Sequence, residues 1–532
     1  MTKVWRIKEQ SSSDLLEQLL INRGIKSEEE RQRFFNPKIP DYEKEFEIPG
    51  IEKSIKRIQK AIAIGEQIVI FGDYDVDGIT ASAILYKALT SLGAKVMPYI
   101  PHREKEGYGL SKLGLEFARD SGASVVITVD NGIVATEQAK FAKVIGLDLI
   151  ITDHHTTSGE KPEAFSIVHS TKMCGAAVAW CLIRSVIKPD LAEELLQFVA
   201  VATIADMMPL IGLNRAFVYE GTKVLNKTKN LGFETLFAES KLEKGNIKSF
   251  EIGHIIAPRI NAIGRLEHAI DALRLLCTKD TVKAKRLAKL LGDTNTKRQE
   301  MTKEAYDQAF KMAEKNGGKK IQVLHSKDWH QGIIGLIAGR ITENFFMPTV
   351  AISVGETISK GSARSANGIN ITEVLRSCSK YLVDVGGHAG AAGFSVRTEQ
   401  IATFKLALEK AILEVKSEES GEFLDIEAEI PVSKLTKNLA KKLEDFEPFG
   451  LQNPRPTLAS FNLKVSDIRT LSGGKHLKFK ADGIDAIAFN MGELESFLQS
   501  GQIINLAYNL ELNKFNGAEN LQFKVKDIQL SQ

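Results

Sequence analysis

Apolar runs separated by helix-forming segments characterise the chain from about residue 51 to residue 152. Four runs have the length and the uninterrupted apolar character of buried parallel strands, namely residues 67–71, 95–100, 124–129 and 147–152. Helical segments are predicted between them, around residues 112–120 and 136–144. Strands that alternate with helices predict a doubly wound parallel sheet. In such a sheet, ligands bind beyond the carboxyl ends of the strands.

The pattern becomes mostly helical after the sheet, over residues 176–206 and 215–316. The charged, proline-free stretch 280–315 is predicted to form one long connecting helix, which residues 291–295 would interrupt. A second, smaller α/β unit is predicted from residue 321 onwards.

The C-terminal part of the chain changes to short alternating segments. Five such segments follow residue 417, and Gly473-Gly474, Asp482-Gly483 and Asn516-Gly517 supply hairpin turns between them. Five short strands with such turns predict a small β-barrel, of the OB type.

The predicted fold class is therefore α/β, with a parallel-sheet domain, a helical connector, a smaller α/β domain and a terminal OB-like barrel. The predicted boundaries are an N-terminal extension packed on the next domain (1–50), the parallel-sheet domain (51–225), the connector (226–320), the second α/β domain (321–416) and the barrel (417–532).

Composition excludes several classes of protein. Hydrophobic residues make up 43% of the 532 residues and charged residues 26%, which are ordinary globular values. The net charge of +3 means that any nucleic-acid site must concentrate positive charge in a cleft. Four cysteines without CxxC spacing predict neither a disulfide framework nor a structural zinc site. With no signal peptide or membrane span in the pattern, we expect a soluble cytoplasmic protein.

Acidic residues follow the predicted strands. Asp73, Asp75 and Asp77 alternate directly after the first strand, where an extended segment would place them on one side. Asp130 follows the third strand, and Asp153-His154-His155 follows the fourth. Asp206 ends an apolar segment further along the chain. Because the carboxyl ends of parallel strands lie together beside one crevice, the recurrence of acidic and histidine residues at these ends predicts a metal site.

The ligand types indicate the metal and the chemistry. Carboxylates with one or two imidazoles and no thiolate favour Mn²⁺ or Mg²⁺ over structural zinc. Two such ions can clamp a phosphoryl group and activate water. The sequence contains no Walker phosphate loop, GxGxxG fingerprint or GxSxG elbow. Metal-assisted hydrolysis of a phosphoester is therefore predicted.

These motifs resemble those of the DHH phosphoesterase superfamily. The ordered acidic motifs carry the resemblance, and Gly386–Phe394 (GGHAGAAGF) is similar to the signature of the associated C-terminal domain. Further segments resemble the branch formed by bacterial 5′→3′ exonucleases specific for single strands. They are residues 103–110, 258–265, 329–335, 361–365 and 448–454, which occur in order along the chain.

The resemblance implies a role for each matching position. It implies Asp75, Asp77, Asp130, His154 and Asp206 as metal ligands, with Asp130 bridging. It implies a catalytic set in which Asp73 and Asp153 orient the ligands and His155 contacts the scissile phosphate. It implies a substrate-binding set of Arg103, Tyr108, Arg265, Ser362, Arg364 and His388.

One position departs from the pattern of the superfamily. Some members have a histidine four residues before the first ligand aspartate, where it binds the first metal, and here that position is Phe71. The first metal would then be weakly held, supplied partly by substrate, or absent at rest.

The resemblance also implies the function. It implies hydrolysis of single-stranded DNA from the 5′ end by metal-activated water, with Mn²⁺ or Mg²⁺ as two ions and mononucleotides as products. It implies a role in DNA repair and recombination. The implied partners are single-stranded DNA, single-strand-binding protein and a RecQ-type helicase, with no membrane, and the chain is expected to be a monomer.

Alternatives remain open at this point. A DHH phosphodiesterase for short oligonucleotides or cyclic dinucleotides would share the metal motifs, although the barrel and the long helix favour a longer substrate. A non-catalytic DNA-binding scaffold would be expected to lack some ligands, whereas all five are present here. The glycines of residues 386–393 either permit a tight loop or let backbone N–H groups approach a phosphate.

The barrel also has two interpretations. It is either a packing domain or a surface for single-stranded nucleic acid, formed by Lys475, Lys478, Lys480, Phe479, Phe489 and Tyr508.

Overall fold

The computed structural model describes residues 3–103, 106–107, 109–157, 159–317, 319–366, 368–415, 423–515 and 518–531. The chain divides into two compact units. The first unit comprises residues 1–257, 273–281 and 422–532, and the second comprises residues 258–272 and 282–421.

The strands and helices are numbered in chain order. The strands are β1 (Val4–Ile7), β2 (Gln67–Phe71), β3 (Lys95–Tyr99), β4 (Ala123–Val129), β5 (Asp148–Asp153), β6 (Ser166–His169), β7 (Gln322–Ser326), β8 (Thr349–Ser353), β9 (Ile358–Arg364), β10 (Leu382–His388), β11 (Ala391–Arg397), β12 (Phe423–Ile426), β13 (Ala428–Glu429), β14 (Leu458–Leu471), β15 (His476–Ala481), β16 (Ile484–Ala488), β17 (Ile503–Phe515) and β18 (Ala518–Leu530). The helices are α1 (Leu15–Asn22), α2 (Glu28–Phe35), α3 (Ile51–Ile64), α4 (Val76–Ser91), α5 (Lys112–Asp120), α6 (Thr136–Val144), α7 (Gly175–Ile183), α8 (Pro189–Ala205), α9 (Gly212–Asn226), α10 (Leu231–Glu239), α11 (Ser249–Glu251), α12 (Ala257–Leu266), α13 (Ile270–Cys277), α14 (Thr281–Lys315), α15 (Ile334–Phe345), α16 (Ile371–Ser377), α17 (Ile401–Ala411) and α18 (Lys437–Glu444).

The parallel sheet of the first unit has the order β3-β2-β4-β5-β6. All four pairings are parallel, as the alternation of strands and helices predicts. The four predicted strands are confirmed within a residue or two at each end. The edge strand β6 was not predicted, because its four residues are too short to give a periodic signal.

The N-terminal extension packs on more than the next domain, which corrects the prediction. Strand β1 pairs in parallel with β12, and Leu19 and Leu20 of α1 lie in the core of the C-terminal barrel. Only the later part of the extension packs on the sheet domain, where the Phe46 ring contacts Trp180. The extension therefore joins the two ends of the chain within the first unit.

The C-terminal barrel closes through β14, which pairs with both β15 and β17. The remaining order is β15-β16-β18-β17, and β16 and β18 run parallel. This closure confirms the OB-type barrel. Two of its aromatic residues belong to the core and not to a nucleic-acid surface, because Phe479 and Tyr508 are fully buried. The predicted turn at Asn516-Gly517 lies outside the described residues.

The second unit contains a five-stranded sheet of order β10-β11-β9-β8-β7. The glycines of residues 386–393 lie mostly in the antiparallel strands β10 and β11, so the predicted loop is wrong. Packing selects strands here despite the weak strand propensity of glycine. The neighbouring β9 packs closely on this hairpin, since a Cβ on Gly361 would lie 2.0 Å from Cζ of Phe394 in β11.

Helix α14 is a single helix of 35 residues, so the interruption predicted at residues 291–295 is absent from it. Leu291, Gly292, Thr294 and Asn295 are buried against neighbouring elements. Burial of this face stabilises the helix more than the weak helix propensity of glycine and asparagine destabilises it.

Arg215 of α9 connects three parts of the first unit. Its side chain is 2% exposed, and its guanidinium donates hydrogen bonds to the carbonyl oxygens of Phe34, Glu447 and Pro448. The guanidinium also lies 3.9 Å from the centre of the Phe34 ring. Burial lowers the pKa of Arg215 to about 10, which leaves it charged at neutral pH.

We expect Arg215→Met to lower the free energy of unfolding of the first unit by about 3 kcal/mol or more, because three carbonyl groups around a buried guanidinium lose a charged donor. Urea melts followed by circular dichroism measure the change. The control is Arg119→Met, whose side chain is 46% exposed and should change stability by less than about 0.5 kcal/mol. Equal melts for both variants would contradict the role of Arg215.

Candidate metal centre

The first acidic motif spans a turn from strand to helix, and not an extended segment as the alternation predicts. Strand β2 ends at Phe71, and Asp75 caps α4 by accepting a hydrogen bond from the Gly78 N–H at 3.0 Å. Asp77 lies in the first turn of α4 and is 2% exposed. The helix thus brings the carboxylates together through its first turn.

Asp77 is held by the N-terminus of a second helix. Its two carboxylate oxygens accept hydrogen bonds from the backbone N–H groups of Gly175 and Ala176, at 2.6 and 2.7 Å. These groups begin α7, whose dipole favours a negative charge at that end. The predicted helix began at Ala176, but no role was assigned to this end. A Gly-Ala start to an apolar helix carried no chemical signal.

The other motifs meet at His154. Its Nε2 atom lies 3.1 Å from Asp130 Oδ1, 3.5 Å from Asp77 Oδ2 and 3.6 Å from Asp206 Oδ2. Asp130 follows β4 with a φ of 62°, and a Cβ on Gly175 would lie 2.7 Å from the Asp130 Cβ. The cluster therefore depends on a glycine at position 175.

Asp153 orients the two histidines. Its Oδ1 atom accepts hydrogen bonds from the backbone N–H of His154 at 2.7 Å and from that of His155 at 3.2 Å. The same oxygen lies 2.7 Å from His155 Nδ1, and Oδ2 accepts from the Ile133 N–H at 2.9 Å. This arrangement fixes the orientation of the His155 ring through Nδ1.

The cluster carries a large electrostatic penalty without a cation. Burial, and then the nearby aspartates, raise the pKa of Asp73, Asp77 and Asp130. Burial and the charges of Asp77 and Asp75 raise the pKa of Asp206 to about 8. Asp153 differs: burial acts most strongly and raises its pKa, but the hydrogen bond and the charge of His155, together with the N–H groups of Ile133 and His155, lower the pKa below its usual value.

These residues fit a divalent cation. Three groups have ligand atoms within 4.8 Å of one another, namely Asp73, Asp75 and Asp130; Asp77, His154 and Asp206; and Asp130, His154 and His155. Asp73 Oδ1 is buried and has no hydrogen-bond partner among the described residues. Oxygen ligands with one or two imidazoles are the set that Mn²⁺ and Mg²⁺ accept. Asp130 and His154 each belong to two of the three groups.

Phe71 contributes no ligand atom. It is fully buried in the hydrophobic core of the sheet domain, and its ring lies 5.1 Å from that of Tyr99. The position at which some superfamily members carry a histidine is therefore part of the core here.

One of the predicted substrate residues lies beside the cluster. The Arg103 guanidinium is 4.9 Å from the centre of the Tyr74 ring, and its charge acts on Asp73 to lower the pKa of that carboxyl against the larger effect of burial. Tyr108 lies outside the described residues.

The other predicted substrate residues belong to the second unit. Arg364 donates to Ser362 Oγ at 3.2 Å, and both lie on β9 and not in a loop. A Cβ on Gly335 would lie 3.0 Å from an Arg364 nitrogen, which brings the start of α15 close to this pair. Arg265 donates to the Gly332 carbonyl at 3.0 Å, and His388 is exposed at the end of β10.

Comparison with known proteins identifies the family. The single-stranded-DNA-specific exonuclease RecJ of Bacillus subtilis is 33% identical to this chain, and the alignment covers 97% of the chain and 68% of that protein. The chain belongs to the RecJ family. The RecJ of Escherichia coli is 29% identical over 97% of the chain and 95% of that protein.

The matches to RecJ extend over the whole chain. Family models match in order, namely the DHH family N-terminal domain over residues 67–203, the DHHA1 domain over 318–414 and the RecJ OB domain over 426–527. The crystal structure of RecJ in complex with Mn²⁺ from Thermus thermophilus matches with a TM-score of 0.86 and 28% identity, covering 99% of this chain and 80% of that one. A complex of the same protein with Mg²⁺ matches with a TM-score of 0.80. The resemblance and the predicted fold class are confirmed.

No helix in the described part of the chain is both long and apolar enough to span a membrane.

We expect Mn²⁺ to stabilise the metal-free protein, because a cation removes the repulsion among the buried carboxylates. At a concentration about 100-fold above its dissociation constant, the gain is about 2.7 kcal/mol. Calorimetry of the chelator-treated protein with and without Mn²⁺ measures the rise in Tm. Asp77→Asn should reduce the rise and the exposed control Asp120→Asn should keep it. An unchanged Tm in the wild type would contradict the site.

We also expect the metal-free protein to lose stability between about pH 4 and about pH 8. An acid whose pKa is raised by folding binds its proton more tightly in the folded state. Its contribution to the free energy of unfolding is therefore complete below the pKa of the unfolded state and is lost as pH rises through the pKa of the folded state. Asp206, with a folded pKa of about 8, contributes to this loss. Asp206→Asn should therefore flatten the dependence of Tm on pH in chelator, whereas Asp120→Asn should leave it steep.

Proposed function

We propose that this protein is a metal-dependent exonuclease that degrades single-stranded DNA from the 5′ end and releases mononucleotides, in DNA repair and recombination. The observation that carries the proposal is the alignment to RecJ over nearly the full length of both chains, together with the convergence of the acidic cluster. The alignment with a relative named as a single-stranded-DNA-specific exonuclease covers 97% of this chain, in which the three family models match.

We assign the metal to Asp75, Asp77, Asp130, His154 and Asp206. When bound, Mn²⁺ or Mg²⁺ supplies activation of water and neutralisation of charge on the phosphoryl group. We assign two ions to these residues, and Asp130 would be the ligand common to both; it belongs to two of the three ligand groups, as does His154. Backbone N–H groups of α7 hold Asp77 in place, so that this ligand needs little reorganisation on binding.

The remaining catalytic roles follow from the hydrogen bonds around the cluster. Asp153 fixes the His155 ring through Nδ1, so that the opposite nitrogen can donate to a non-bridging oxygen of the scissile phosphate and stabilise the charge that develops there. From the resemblance to the family, Asp73 is assigned to orienting the ligands; it is buried, its Oδ1 has no hydrogen-bond partner among the described residues, and it lies close to Asp75 and Asp130. In the substrate-binding set, Arg103 is the member that lies beside the cluster in the first unit.

We assign phosphate binding in the second unit to Arg265, Ser362, Arg364 and His388. Burial lowers the pKa of Arg364, and the described residues give it only neutral oxygen partners, Ser362 Oγ and the Ala363 carbonyl. A buried guanidinium without a carboxylate partner favours an anionic ligand such as a phosphate. Tyr108 remains assigned to the entering strand from the sequence resemblance alone.

The proposed setting of the enzyme is the cytoplasm, where it would act as a monomer on single-stranded DNA together with single-strand-binding protein and a RecQ-type helicase. We propose these partners because the sequence resembles the family.

Digestion of end-labelled oligonucleotides with Mn²⁺ tests the proposed function. A 5′ label should be released as mononucleotide at the earliest times, while a 3′ label should appear in progressively shorter strands. Asp130→Ala should lower turnover by about three orders of magnitude or more, because it removes the shared ligand. Asp120→Asn should retain turnover. Initial release of the 3′ label, or equal digestion of blunt duplex, would contradict the proposal.

A further inference from the structure

A glutamate closes the turn that follows strand β3. The Glu106 backbone N–H donates a hydrogen bond to the His102 carbonyl at 2.9 Å, and the His102 backbone N–H donates to Glu106 Oε1, also at 2.9 Å. The two residues are therefore joined by a reciprocal pair of hydrogen bonds, as in the capping box at the start of a helix. Arg103, the substrate-binding candidate beside the metal cluster, lies within this closed turn.

Side chains from two elements hold the other carboxylate oxygen of Glu106. The Tyr99 hydroxyl, at the end of β3, donates to Glu106 Oε2 at 2.7 Å, and the Ser111 hydroxyl donates to the same atom at 3.0 Å. Ser111 also caps α5, because its Oγ accepts a hydrogen bond from the Gly114 N–H at 3.0 Å. Glu106 thus joins the turn to the strand before it and to the helix after it.

Tyr99 is itself held by close packing. Its ring centre lies 5.1 Å from that of Phe71 and 4.9 Å from that of Phe117. A Cβ on Gly114 would collide with the rings of Phe71 and Tyr99, so α5 lies directly against them. Burial, followed by the hydrogen bond and the charge of Glu106, raises the pKa of Tyr99, so the hydroxyl stays protonated and remains a donor.

The same tyrosine connects the turn with the first acidic motif. The Tyr99 carbonyl accepts a hydrogen bond from the Gly72 N–H at 2.9 Å, directly before that motif. The Arg103 guanidinium lies 4.9 Å from the centre of the Tyr74 ring, which belongs to the motif. The contacts of Glu106 and Tyr99 therefore link Arg103 to the acidic motif by a second route besides the Tyr74 ring.

A carboxylate beside the path of a polyanion needs partners of this kind. An unpartnered negative charge would repel the phosphates of an incoming strand. Three donors surround Glu106 instead, namely one backbone N–H and two hydroxyls. Hydrogen bonds to an ionised acceptor are stronger than those to a neutral one, so a carboxylate holds the turn more firmly than an uncharged side chain would.

We propose that Glu106 is a positioning residue for capture of the DNA strand, an inference that rests on the proposed function. By closing the turn, Glu106 holds the Arg103 guanidinium beside the acidic motif before the strand arrives, so that little ordering of the turn is left to be done on binding. Glu106 belongs to none of the three metal-ligand groups. Its loss should therefore weaken capture of the strand and leave the hydrolytic step unchanged.

Steady-state degradation of 5′-labelled oligothymidylate in Mn²⁺ tests the proposal. Glu106→Ala should raise KM about ten- to one-hundred-fold, because it removes three hydrogen bonds that are each worth about a factor of two to ten. The value of kcat should stay within about twofold of the wild type. Glu106→Gln should recover most of the loss, because its amide can accept from the His102 N–H and pair with both hydroxyls. The control is Glu52→Ala, whose 83% exposed side chain pairs only with an exposed lysine and which should behave like the wild type.

A double-mutant cycle shows whether Glu106 acts through Arg103. Arg103→Ala should raise KM by itself. Adding Glu106→Ala to that variant should raise KM by less than about twofold further, because the turn then has no guanidinium to position. Glu106→Ala alone should keep the Mn²⁺-induced rise in Tm of the wild type, since the metal ligands are untouched.

The outcomes separate this role from the proposed function. Effects of the two alanine substitutions that multiply would overturn the role, because Glu106 would then act independently of Arg103. A fall in KM for Glu106→Ala would also overturn it, since the carboxylate would then only repel the strand. Loss of kcat together with the Mn²⁺-induced rise in Tm would mean that Glu106 acts through the fold, which overturns the role as well. These three results leave the proposed function standing, whereas a wild type that does not degrade the strand would overturn both.

Discussion

The burial of like charges at the carboxyl ends of the parallel strands is the constraint on which the first unit depends. Asp73, Asp77 and Asp130 are nearly inaccessible to solvent, and burial followed by the charges of Asp77 and the other aspartates raises the pKa of Asp130. Two features of the fold offset this repulsion, namely the N–H groups of α7 and the His154 imidazole among the carboxylates. The carboxylate oxygens are also arranged so that a bound cation would offset the rest. The interactions that make the metal-free cluster costly are those that make it a strong cation site.

Close backbone contact makes this arrangement possible. A side chain at Gly78 would collide with Asp73, and one at Gly175 would collide with Asp130, so helices α4 and α7 can approach the strand ends only with glycine at these positions. The same contact lets the first N–H groups of α7 reach Asp77. The ligands are thereby fixed by backbone geometry more than by the packing of flexible side chains, which favours preorganisation.

Contacts between distant parts of the sequence hold the first unit together. Strand β1 pairs with β12, Arg23 forms a buried ion pair with Glu427, and Arg215 binds carbonyl groups of both the N-terminal segment and the approach to the barrel. Leu210 lies four residues after the ligand candidate Asp206, and its N–H donates a hydrogen bond to the Leu451 carbonyl. The barrel is thus part of the same compact unit as the metal cluster.

Much of the architecture was predictable from local patterns. The hydrophobic pattern is strongly periodic in the strands of the parallel sheet, in the long helix and in the barrel. The acidic motifs come directly after strands of the parallel sheet, and they meet at the carboxyl ends of those strands. The short strand β6 carries no such period. The glycine hairpin of β10 and β11 was mistaken for a loop, because strand pairing with β9 overrides the weak propensity of glycine. The sequence also allows Phe479 and Tyr508 to lie on a nucleic-acid surface, whereas in the structure both are buried in the core of the barrel.

The sequence by itself determined the types of ligand, their order along the chain and the α/β and barrel classes, because these follow from residue chemistry and short-range periodicity. Only the tertiary structure decided that the turn after β2 is helical, that the start of α7 holds Asp77, and that Phe250 lies next to Lys524 of the barrel. Each of these contacts joins residues far apart in the chain or depends on which face of an element meets its neighbour. Periodicity shows that an element has a buried face, but only packing selects the partner of that face.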